Sequence, residues 1–311
     1  MNLTSARIVI AGGETPAGAA LAAEARRRRY AATTLSAAET AGWANATAIE
    51  KALGTARPDV VFVAAGESGG IGLNRAQPAR LMESNLRVAL NVLGAAAHLR
   101  VPRLLFLASS CCYPRDAAQP LRVASLMTGP LEPTNAAYAA AKLAGIVHCE
   151  AIRQEHGLGY FAAIPATLYG PEDHFEPEHS HVAAGLMARM HEAKRKDIPA
   201  LAVWGTGQPR RDFLFTRDLA DACFFLAETY DAAAGPVNVG PDADLSIAEV
   251  AETVRQVVGY AGRLEFDASK PDGAPLKRLD ASALRALGWR PKTDFAAGLR
   301  ETYAVFRRGR E

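Results

Sequence analysis

The sequence is poor in cysteine and in net charge, and each shortage excludes a class of protein. Its 311 residues include four cysteines, and their spacing matches neither a zinc-binding pattern nor a redox CxxC pair. The formal charge of +2 leaves acidic and basic residues nearly balanced, so neither a nucleic acid nor a membrane surface is expected as a partner. The chain also has no internal repeat and no low-complexity linker, which is ordinary for a globular enzyme.

Long apolar segments are missing as well. No run of apolar residues is long enough to span a bilayer, and the first predicted strand begins at Arg7 without a preceding apolar signal segment. A reducing cytoplasm is therefore the expected compartment.

The chain has instead an alternation of short apolar runs and alanine-rich helical segments. The predicted buried strands are Arg7–Ala11, Asp59–Ala65, Arg103–Ser110 and Tyr160–Pro165. Between them, apolar residues recur at helical spacing in Ala17–Arg29, Pro78–Leu99 and Ala136–His156. Strands that alternate with helices imply βαβ units, so the sequence predicts an α/β fold with a doubly wound, Rossmann-type parallel sheet.

The alternation stops after Gly170, which indicates a second part of the chain. We expect residues 1–170 to form a dinucleotide-binding domain and residues 171–311 a smaller C-terminal α/β substrate domain, with residues 213–240 returning to the first. Within the second part, Ser246 and Glu249 have the spacing of a capping box and predict a helix that continues to about Val258.

A glycine-rich turn lies between the first predicted strand and the first predicted helix. In Gly12–Gly18, Thr15 occupies the position at which a GxxGxxG pattern has its middle glycine. Such a turn lets a pyrophosphate approach backbone N–H groups at the positive end of a helix. An ordinary strand-to-helix turn would look similar, although the βαβ context favours a dinucleotide.

Tyr138 and Lys142 are spaced i, i+4 within a predicted helix, so their side chains share a face. A nearby ammonium favours the phenolate, which makes Tyr138 a better proton donor to a carbonyl that is being reduced. Ser109 lies near the end of a predicted strand and can hydrogen-bond the same carbonyl oxygen. The three residues together favour a ketone–alcohol oxidoreductase over a chance pair on a helix surface.

Several stretches of the chain resemble one enzyme family. The glycine-rich turn, the strand-end serine and the YxxxK spacing are typical of the extended short-chain dehydrogenase/reductase superfamily. Longer stretches resemble its GDP-L-fucose synthase family, and this resemblance covers the chain from about residue 59 to its end. The stretches are Leu105–Pro114, Leu131–Lys142, Pro165–Pro171, Ser180–Val182, Val203–Phe213 and Phe266–Pro275.

The resemblance implies a catalytic set and a reaction. Ser109, Tyr138 and Lys142 would form the reductase triad, and Cys111 with His181 would invert C3 and C5 of a ketosugar. Protons next to the 4-keto group are acidic, so a thiolate can remove one while an imidazole returns one on the opposite face. The implied substrate is a GDP-linked 4-keto-6-deoxy sugar, GDP-4-keto-6-deoxy-D-mannose, and reduction at C4 would give GDP-L-fucose.

Two binding sets are implied in the same way. The cofactor would contact Gly12, Thr15, Gly18, Ser36, Asn85, Lys142, Pro165 and Leu168. The nucleotide diphosphate and the sugar would contact Arg189, Trp204, Arg211, Asp272 and Lys277. By analogy with the superfamily, a homodimer is expected through Pro78–Leu99 and Ala136–His156.

The chain departs from the family pattern where the cofactor's 2′-phosphate would bind. Glu14 replaces an arginine of the glycine-rich turn, and Ser36 and Ala38 replace arginines that follow the second strand. A carboxylate repels a phosphate, so the family favours NADP(H) while these residues leave NAD(H) possible.

Three other interpretations remain open. His174, His179 and His181 lie among carboxylates, but their spacing matches no common zinc pattern, and no metal is expected. The positions at which the chain departs from the family pattern would also accommodate a sister enzyme, one that acts on a GDP-6-deoxy-4-keto-heptose. The imperfect glycine-rich turn would suit a non-catalytic, cofactor-sensing Rossmann protein, although the retained catalytic set argues against it.

Overall fold

A six-stranded parallel sheet forms the centre of the computed structural model, which describes residues 1–176, 180–270 and 272–310. The strands in the described part of the chain are β1 (Arg7–Ala11), β2 (Ala31–Leu35), β3 (Val60–Val63), β4 (Arg103–Leu107), β5 (Gly159–Pro165), β6 (Thr167–Tyr169), β7 (Ala200–Trp204), β8 (Arg210–Arg211), β9 (Phe213–Phe215), β10 (Val237–Val239), β11 (Leu245–Ser246), β12 (Arg263–Asp267) and β13 (Leu276–Lys277). The central sheet has the order β10-β5-β4-β3-β1-β2, which confirms the predicted doubly wound α/β fold.

The strand order places a crevice at the carboxyl ends of the central strands. β1 pairs in parallel with β2 on one side and with β3 on the other. The connection from β1 to β2 and the connection from β2 to β3 therefore lead to opposite sides of β1. All four residues of β3 are buried, as expected for a parallel strand that helices cover on both faces. Ligands of such sheets bind outside the carboxyl ends of the strands at this switch point.

Helices cover both faces of the sheet and extend into the second part of the chain. They are α1 (Pro16–Arg28), α2 (Ala46–Ala56), α3 (Ile71–Ala76), α4 (Pro78–Arg87), α5 (Leu93–His98), α6 (Ala136–His156), α7 (Val182–Arg195), α8 (Thr216–Thr229), α9 (Ile247–Val258), α10 (Ser282–Ala286) and α11 (Phe295–Arg308). The predicted helix Ala136–His156 has the predicted bounds, whereas Pro78–Leu99 is interrupted by a π-helical segment, Val88–Val92. Apolar spacing does not mark such a segment, so the sequence predicted one continuous helix.

The second part of the chain has smaller sheets and a core of its own. β7 pairs with β12, and β8 lies between β11 and β13. Residues of α7, α9 and α11 enclose this second core. The capping box of Ser246 and Glu249 is present at the start of α9, which confirms the predicted helix. No helix among the described residues is long and apolar enough to cross a membrane.

Residues 213–240 divide between the two parts. β9 pairs with β6 outside the central sheet, whereas β10 pairs with β5 inside it. The C-terminal residues Leu284 and Trp289 also pack in the core of the central sheet. The domain boundary at residue 170 stays a prediction, because the chain crosses between the two cores more than once.

Candidate active site

The glycine-rich turn after β1 forms one wall of the switch-point crevice. Gly12 has a φ of +92°, and a Cβ built on Gly18 would lie 1.9 Å from the carbonyl oxygen of Gly12. Thr15 stabilises this turn, since its hydroxyl donates to that carbonyl at 2.9 Å and accepts from Gly18 N at 3.0 Å. A threonine therefore replaces the usual middle glycine without opening the turn, because it caps α1.

The opposite wall and the base of the crevice carry the other predicted cofactor contacts. Pro165 and Leu168 line the same crevice as Thr15, and its empty volume is about 600 Å³. Asn85 is buried and donates to the carbonyls of Glu67 and Leu81, while its own Oδ1 has no partner among the described residues. A compact turn, an apolar wall and an orphaned acceptor fit a bound nicotinamide dinucleotide.

The edge of the crevice beyond β2 is acidic. Glu39 accepts hydrogen bonds from both the backbone N–H and the hydroxyl of Ser36, at 2.7 and 2.6 Å. Glu14 accepts from the backbone N–H of Ala37 at 2.8 Å. The hydrogen bonds from Ser36 hold the pKa of Glu39 below its ordinary value, so the carboxylate stays charged. The backbone donors that would face a 2′-phosphate are thus occupied by the protein's own carboxylates.

Ser109, Tyr138 and Lys142 are brought together where the carboxyl end of β4 meets α6. Tyr138 and Lys142 are buried, and the hydroxyl of Ser109 lies near enough to the phenol of Tyr138 to act against the rise of its pKa. Lys142 Nζ donates to the carbonyl of Leu107 at 3.2 Å and to that of Ala65 at 3.4 Å. Burial raises the pKa of Tyr138 and lowers the pKa of Lys142 to about 8.

Cys111 lies two residues after Ser109 in the chain. Ser109 caps the short 3₁₀ turn that begins at Ser110, and its hydroxyl accepts the backbone N–H of Cys111 at 3.2 Å. The Cys111 sulfur lies 3.3 Å from Asn135 Nδ2 and 3.4 Å from Lys277 Nζ. Of the four cysteines, Cys111 is the one that is partly exposed, whereas Cys112, Cys149 and Cys223 are buried.

His181 reaches the crevice from the start of α7. It lines the same crevice as Tyr138 and Lys142, and its Nδ1 lies 3.1 Å from Asp173 Oδ1. Burial would lower the pKa of His181, but the hydrogen bond to Asp173 and its charge outweigh burial and raise the pKa. The buried Asp173 therefore stabilises a protonated His181 and fixes the direction of its ring.

The remaining predicted substrate residues lie in the second part of the chain. Trp204 is 70% exposed, with Lys270 Nζ 6.0 Å above its ring. Arg189 donates to the carbonyl of Ala202, and burial lowers its pKa. Burial also lowers the pKa of Arg211, whose Nη1 donates to a backbone carbonyl at 2.7 Å. A guanidinium that is poorly hydrated in this way binds an incoming anion favourably.

Two predicted substrate residues have contacts that the sequence did not indicate. Asp272 accepts from the backbone N–H and the hydroxyl of Thr206, both at 2.7 Å, so it holds a loop. Lys277 pairs in register with Arg211 and reaches the Cys111 sulfur instead of pointing to open solvent.

Sequence reasoning missed three supporting residues. Asp173 was considered only as a metal ligand, Asn135 only as part of a matching stretch, and Glu39 not at all. Signals existed for all three. Asp173 precedes a histidine-rich loop, Asn135 precedes the helix of Tyr138, and Glu39 has the spacing of a capping box with Ser36. Within the described residues, no group of three His, Cys, Asp or Glu side chains is placed to hold a metal ion. His179 lies outside the described residues.

Comparisons with known proteins agree with this geometry. The sequence profile of the NAD dependent epimerase/dehydratase family matches residues 8–240. The chain is 42% identical to GDP-L-fucose synthase 1 of Arabidopsis thaliana over 303 residues, which cover 97% of this chain and 94% of that protein. It is 38% identical to the GDP-L-fucose synthase of Escherichia coli (strain K12) over 312 residues, which cover 98% of this chain and 97% of the relative.

A solved structure shares the fold over the whole length. The GDP-mannoheptose C4 reductase from Campylobacter jejuni with NADP bound has a TM-score of 0.88 and 28% sequence identity to this chain. The match covers 99% of both chains.

Proposed function

This chain belongs to the NAD dependent epimerase/dehydratase family, and within it to the GDP-L-fucose synthases, and we propose that it epimerises and then reduces a GDP-linked 4-keto-6-deoxy sugar. The enzyme uses NAD(P)H, as its family and the NADP-bound structural relative indicate. The substrate we propose is GDP-4-keto-6-deoxy-D-mannose, and the product is GDP-L-fucose.

One observation carries the proposal: an acid–base pair adjoins the reductase trio. The hydroxyl of Ser109 lies near the Tyr138 phenol and accepts the backbone N–H of Cys111, and His181 lines the crevice that Tyr138 also lines. A plain ketone reductase needs only Ser109, Tyr138 and Lys142. The additional thiol and imidazole supply the base and the acid that inversion of carbons next to a ketone requires.

The epimerisation follows from the charges of these two groups. The Cys111 thiolate removes the acidic proton from C3, and the electron pair moves into the carbonyl to give an enolate. The protonated His181, stabilised by Asp173, then donates a proton to the opposite face of that carbon. Proton transfer through solvent then restores the thiolate and the imidazolium, and the same exchange at C5 completes the inversion.

The reduction is carried out by the trio at the end of β4. Ser109 donates a hydrogen bond to the C4 carbonyl oxygen, and Tyr138 transfers its phenolic proton to that oxygen as it gains negative charge. Lys142 stabilises the resulting phenolate and would bind the ribose of the cofactor. A nicotinamide cofactor, when bound in the crevice, would provide the hydride for C4.

The second part of the chain would bind the nucleotide. Arg211 carries a partly buried guanidinium and Arg189 an exposed one, both of which suit a diphosphate, and Trp204 offers an exposed ring to a base. A heptose substrate is the alternative, because the Campylobacter jejuni relative is named as a GDP-mannoheptose C4 reductase. Its 28% identity is below the 38% and 42% of the two GDP-L-fucose synthases.

We also propose that the enzyme forms a homodimer. Its interface would consist of α6 and of the helical segment formed by α4, Val88–Val92 and α5. His148 Nδ1 lies 2.8 Å from the carbonyl oxygen of Ala89, which joins α6 to the π-helical segment. Next to this pair, Leu90 and Val147 are 57% and 45% exposed. Light scattering after size exclusion should give a dimer mass for the wild type and a monomer mass for Leu90→Glu.

Product analysis tests the proposed function. The purified enzyme with NADPH should convert GDP-4-keto-6-deoxy-D-mannose to an L-configured 6-deoxyhexose, as seen by NMR of the sugar. Preferential turnover of the matching GDP-6-deoxy-4-keto-heptose would establish the sister activity instead. No turnover of either ketosugar, together with measurable cofactor binding, would leave the non-catalytic alternative.

A further inference from the structure

The Cys111 sulfur contacts two N–H donors whose position the proposed substrate contacts do not explain. Lys277 Nζ lies 3.4 Å from the sulfur and Asn135 Nδ2 lies 3.3 Å from it. Lys277 belongs to β13, far along the chain, whereas Asn135 immediately precedes α6. Charged and neutral N–H donors directed at one sulfur stabilise its thiolate form.

Three other ionisable groups lie near this sulfur. Arg211 pairs with Lys277 in register, and the charge of Cys111 favours the protonated form of Arg211. On α6, a charged Cys111 helps to raise the pKa of Tyr138, after burial as the main cause. The adjacent Cys112 is buried, which raises its pKa to about 12, so Cys112 stays a thiol.

The cation closest to the sulfur is itself constrained. The backbone just after Lys277 is held by a hydrogen bond, because Leu279 N donates to the buried Asp212 at 2.9 Å. Asp212 N in turn donates to the carbonyl of Lys277 at 3.4 Å. The backbone of β13 is thus fixed against β8, which places the base of the Lys277 side chain within reach of Cys111.

We propose that Lys277 and Asn135 are positioning residues for the epimerisation: Lys277 holds Cys111 as a thiolate, and Asn135 fixes the direction of the sulfur. The identity of the substrate rests on the proposed function, but the thiolate is a property of the free enzyme. When it forms, the thiol proton leaves to solvent and Lys277 stays protonated. The thiolate then accepts the proton of C3 or C5 and becomes a thiol again.

Alkylation of the free, full-length enzyme measures this thiolate without any substrate. Iodoacetamide should modify Cys111 and leave the three buried cysteines unmodified, which mass spectrometry of the peptides can verify. In Lys277→Met, the pH at which alkylation reaches half its maximal rate should rise by about one unit or more, with a roughly tenfold slower reaction at pH 7. Lys277→Arg should restore most of the rate, because it keeps the cation.

The control is Lys196→Met, which removes a lysine that is paired with Glu192 on the surface. It should alkylate like the wild type. Asn135→Ser should slow alkylation less than Lys277→Met does, since it removes a neutral donor. An unchanged alkylation profile in both Lys277→Met and the milder Lys277→Gln would overturn the proposal.

Turnover separates this role from simple nucleotide binding. In Lys277→Met, the kcat for solvent deuterium incorporation at C3 and C5 should fall about tenfold or more, whereas the affinity for GDP should fall less. A raised KM with unchanged kcat and unchanged alkylation would show that Lys277 only binds the diphosphate. If neither ketosugar were a substrate, the proposed function would fail, but the alkylation shift in Lys277→Met would still appear. The two proposals can therefore fail separately.

Discussion

At the residue scale, Lys142 shows how the site's chemistry opposes its stability. Its ammonium is buried, donates to two backbone carbonyls and has a pKa lowered by burial from 10.5 to about 8. A shift of this size corresponds to roughly 3 kcal/mol of destabilisation at neutral pH, at about 1.4 kcal/mol for each pH unit. The protein retains this lysine because a phenolate next to it is stabilised.

Lys142→Met should therefore stabilise the protein while abolishing ketosugar reduction. At pH 7 the free energy of unfolding should rise by roughly 1–3 kcal/mol, less than the full shift because two carbonyls lose a donor. Between about pH 8 and 10.5 the unfolded chain still binds the proton that the native Lys142 has lost. Wild-type stability therefore rises with pH in this window, and the advantage of the variant disappears. Urea unfolding of both proteins at pH 7 and pH 10 measures the difference between their free energies of unfolding. An equal difference at both pH values would contradict this prediction.

Tyr138→Phe tests the proton donor of the reduction. The variant should lower kcat for cofactor oxidation with the ketosugar by at least about two orders of magnitude, as for loss of a general acid. Dinucleotide binding should stay within a few-fold of the wild type, because the phenol lies at the reacting end of the crevice. Near-normal reduction by this variant would remove Tyr138 from its assigned role.

Sequence alone could predict Tyr138, Lys142 and Ser109, because helical spacing and a strand end are local features. It could not predict that Lys277 reaches Cys111. The two residues are 166 positions apart, and only the pairing of β13 with β8 brings them together. For the same reason, the family resemblance placed Lys277 with the nucleotide and gave no sign of the thiol contact.

At the scale of elements, the turn between β1 and α1 is the most constrained part of the site. A Cβ at Gly18 would meet the backbone oxygen of Gly12 at 1.9 Å, which no rotamer change can relieve. Gly18→Ala should therefore weaken dinucleotide binding at least tenfold and lower the melting temperature.

Gly54→Ala is the matched control, because Gly54 lies within α2 and its added Cβ would have its nearest contact at 3.9 Å. This variant should gain about 0.5–1 kcal/mol from helix propensity and bind the cofactor normally. Thermal denaturation and fluorescence titration with NADH measure both effects. If the two alanine variants behave alike, the close packing of the turn is not what the site depends on.

The edge beyond β2 determines how the cofactor's 2′-position is recognised. Glu14 and Glu39 occupy backbone N–H groups there, where arginines of the family would hold a phosphate. The wild type should thus discriminate only weakly between NADPH and NADH. Glu14→Arg combined with Ser36→Arg should raise NADPH affinity by on the order of tenfold to a hundredfold and change NADH affinity little.

Glu265→Arg, at an exposed position of β12, makes the same charge reversal as Glu14→Arg elsewhere and should leave both affinities unchanged. Titrations of nucleotide fluorescence give the dissociation constants directly. A wild-type preference for NADPH near a thousandfold would mean that other residues bind the 2′-phosphate. The sequence revealed the missing arginines. Ser36 and Glu39 also have the spacing that predicted the capping box of Ser246 and Glu249, so their contact could have been predicted as well.

At the scale of the whole molecule, two cores share one site. The central sheet supplies Ser109, Cys111, Tyr138 and Lys142, and the second part of the chain supplies His181, Arg211 and Lys277. Strand and helix alternation was sufficient to predict the sheet, since β-branched runs such as that of β3 are buried on both faces. The path of residues 213–240 was less predictable, because β9 and β10 are both short apolar runs that periodicity cannot assign to different sheets.

The central claim is that two separable reactions take place in one site, and solvent exchange tests it most directly. In D₂O, the wild type should convert GDP-4-keto-6-deoxy-D-mannose to an L-sugar that carries deuterium at C3 and C5, as mass spectrometry and NMR would show. Cys111→Ser replaces an ionisable thiol with a hydroxyl that stays protonated, so it should lose this exchange. It should still reduce the ketosugar slowly, to a D-configured deoxyhexose. If Cys111→Ser incorporates deuterium at both carbons and forms the L-sugar at the wild-type rate, Cys111 is not the base and the two-step account is wrong.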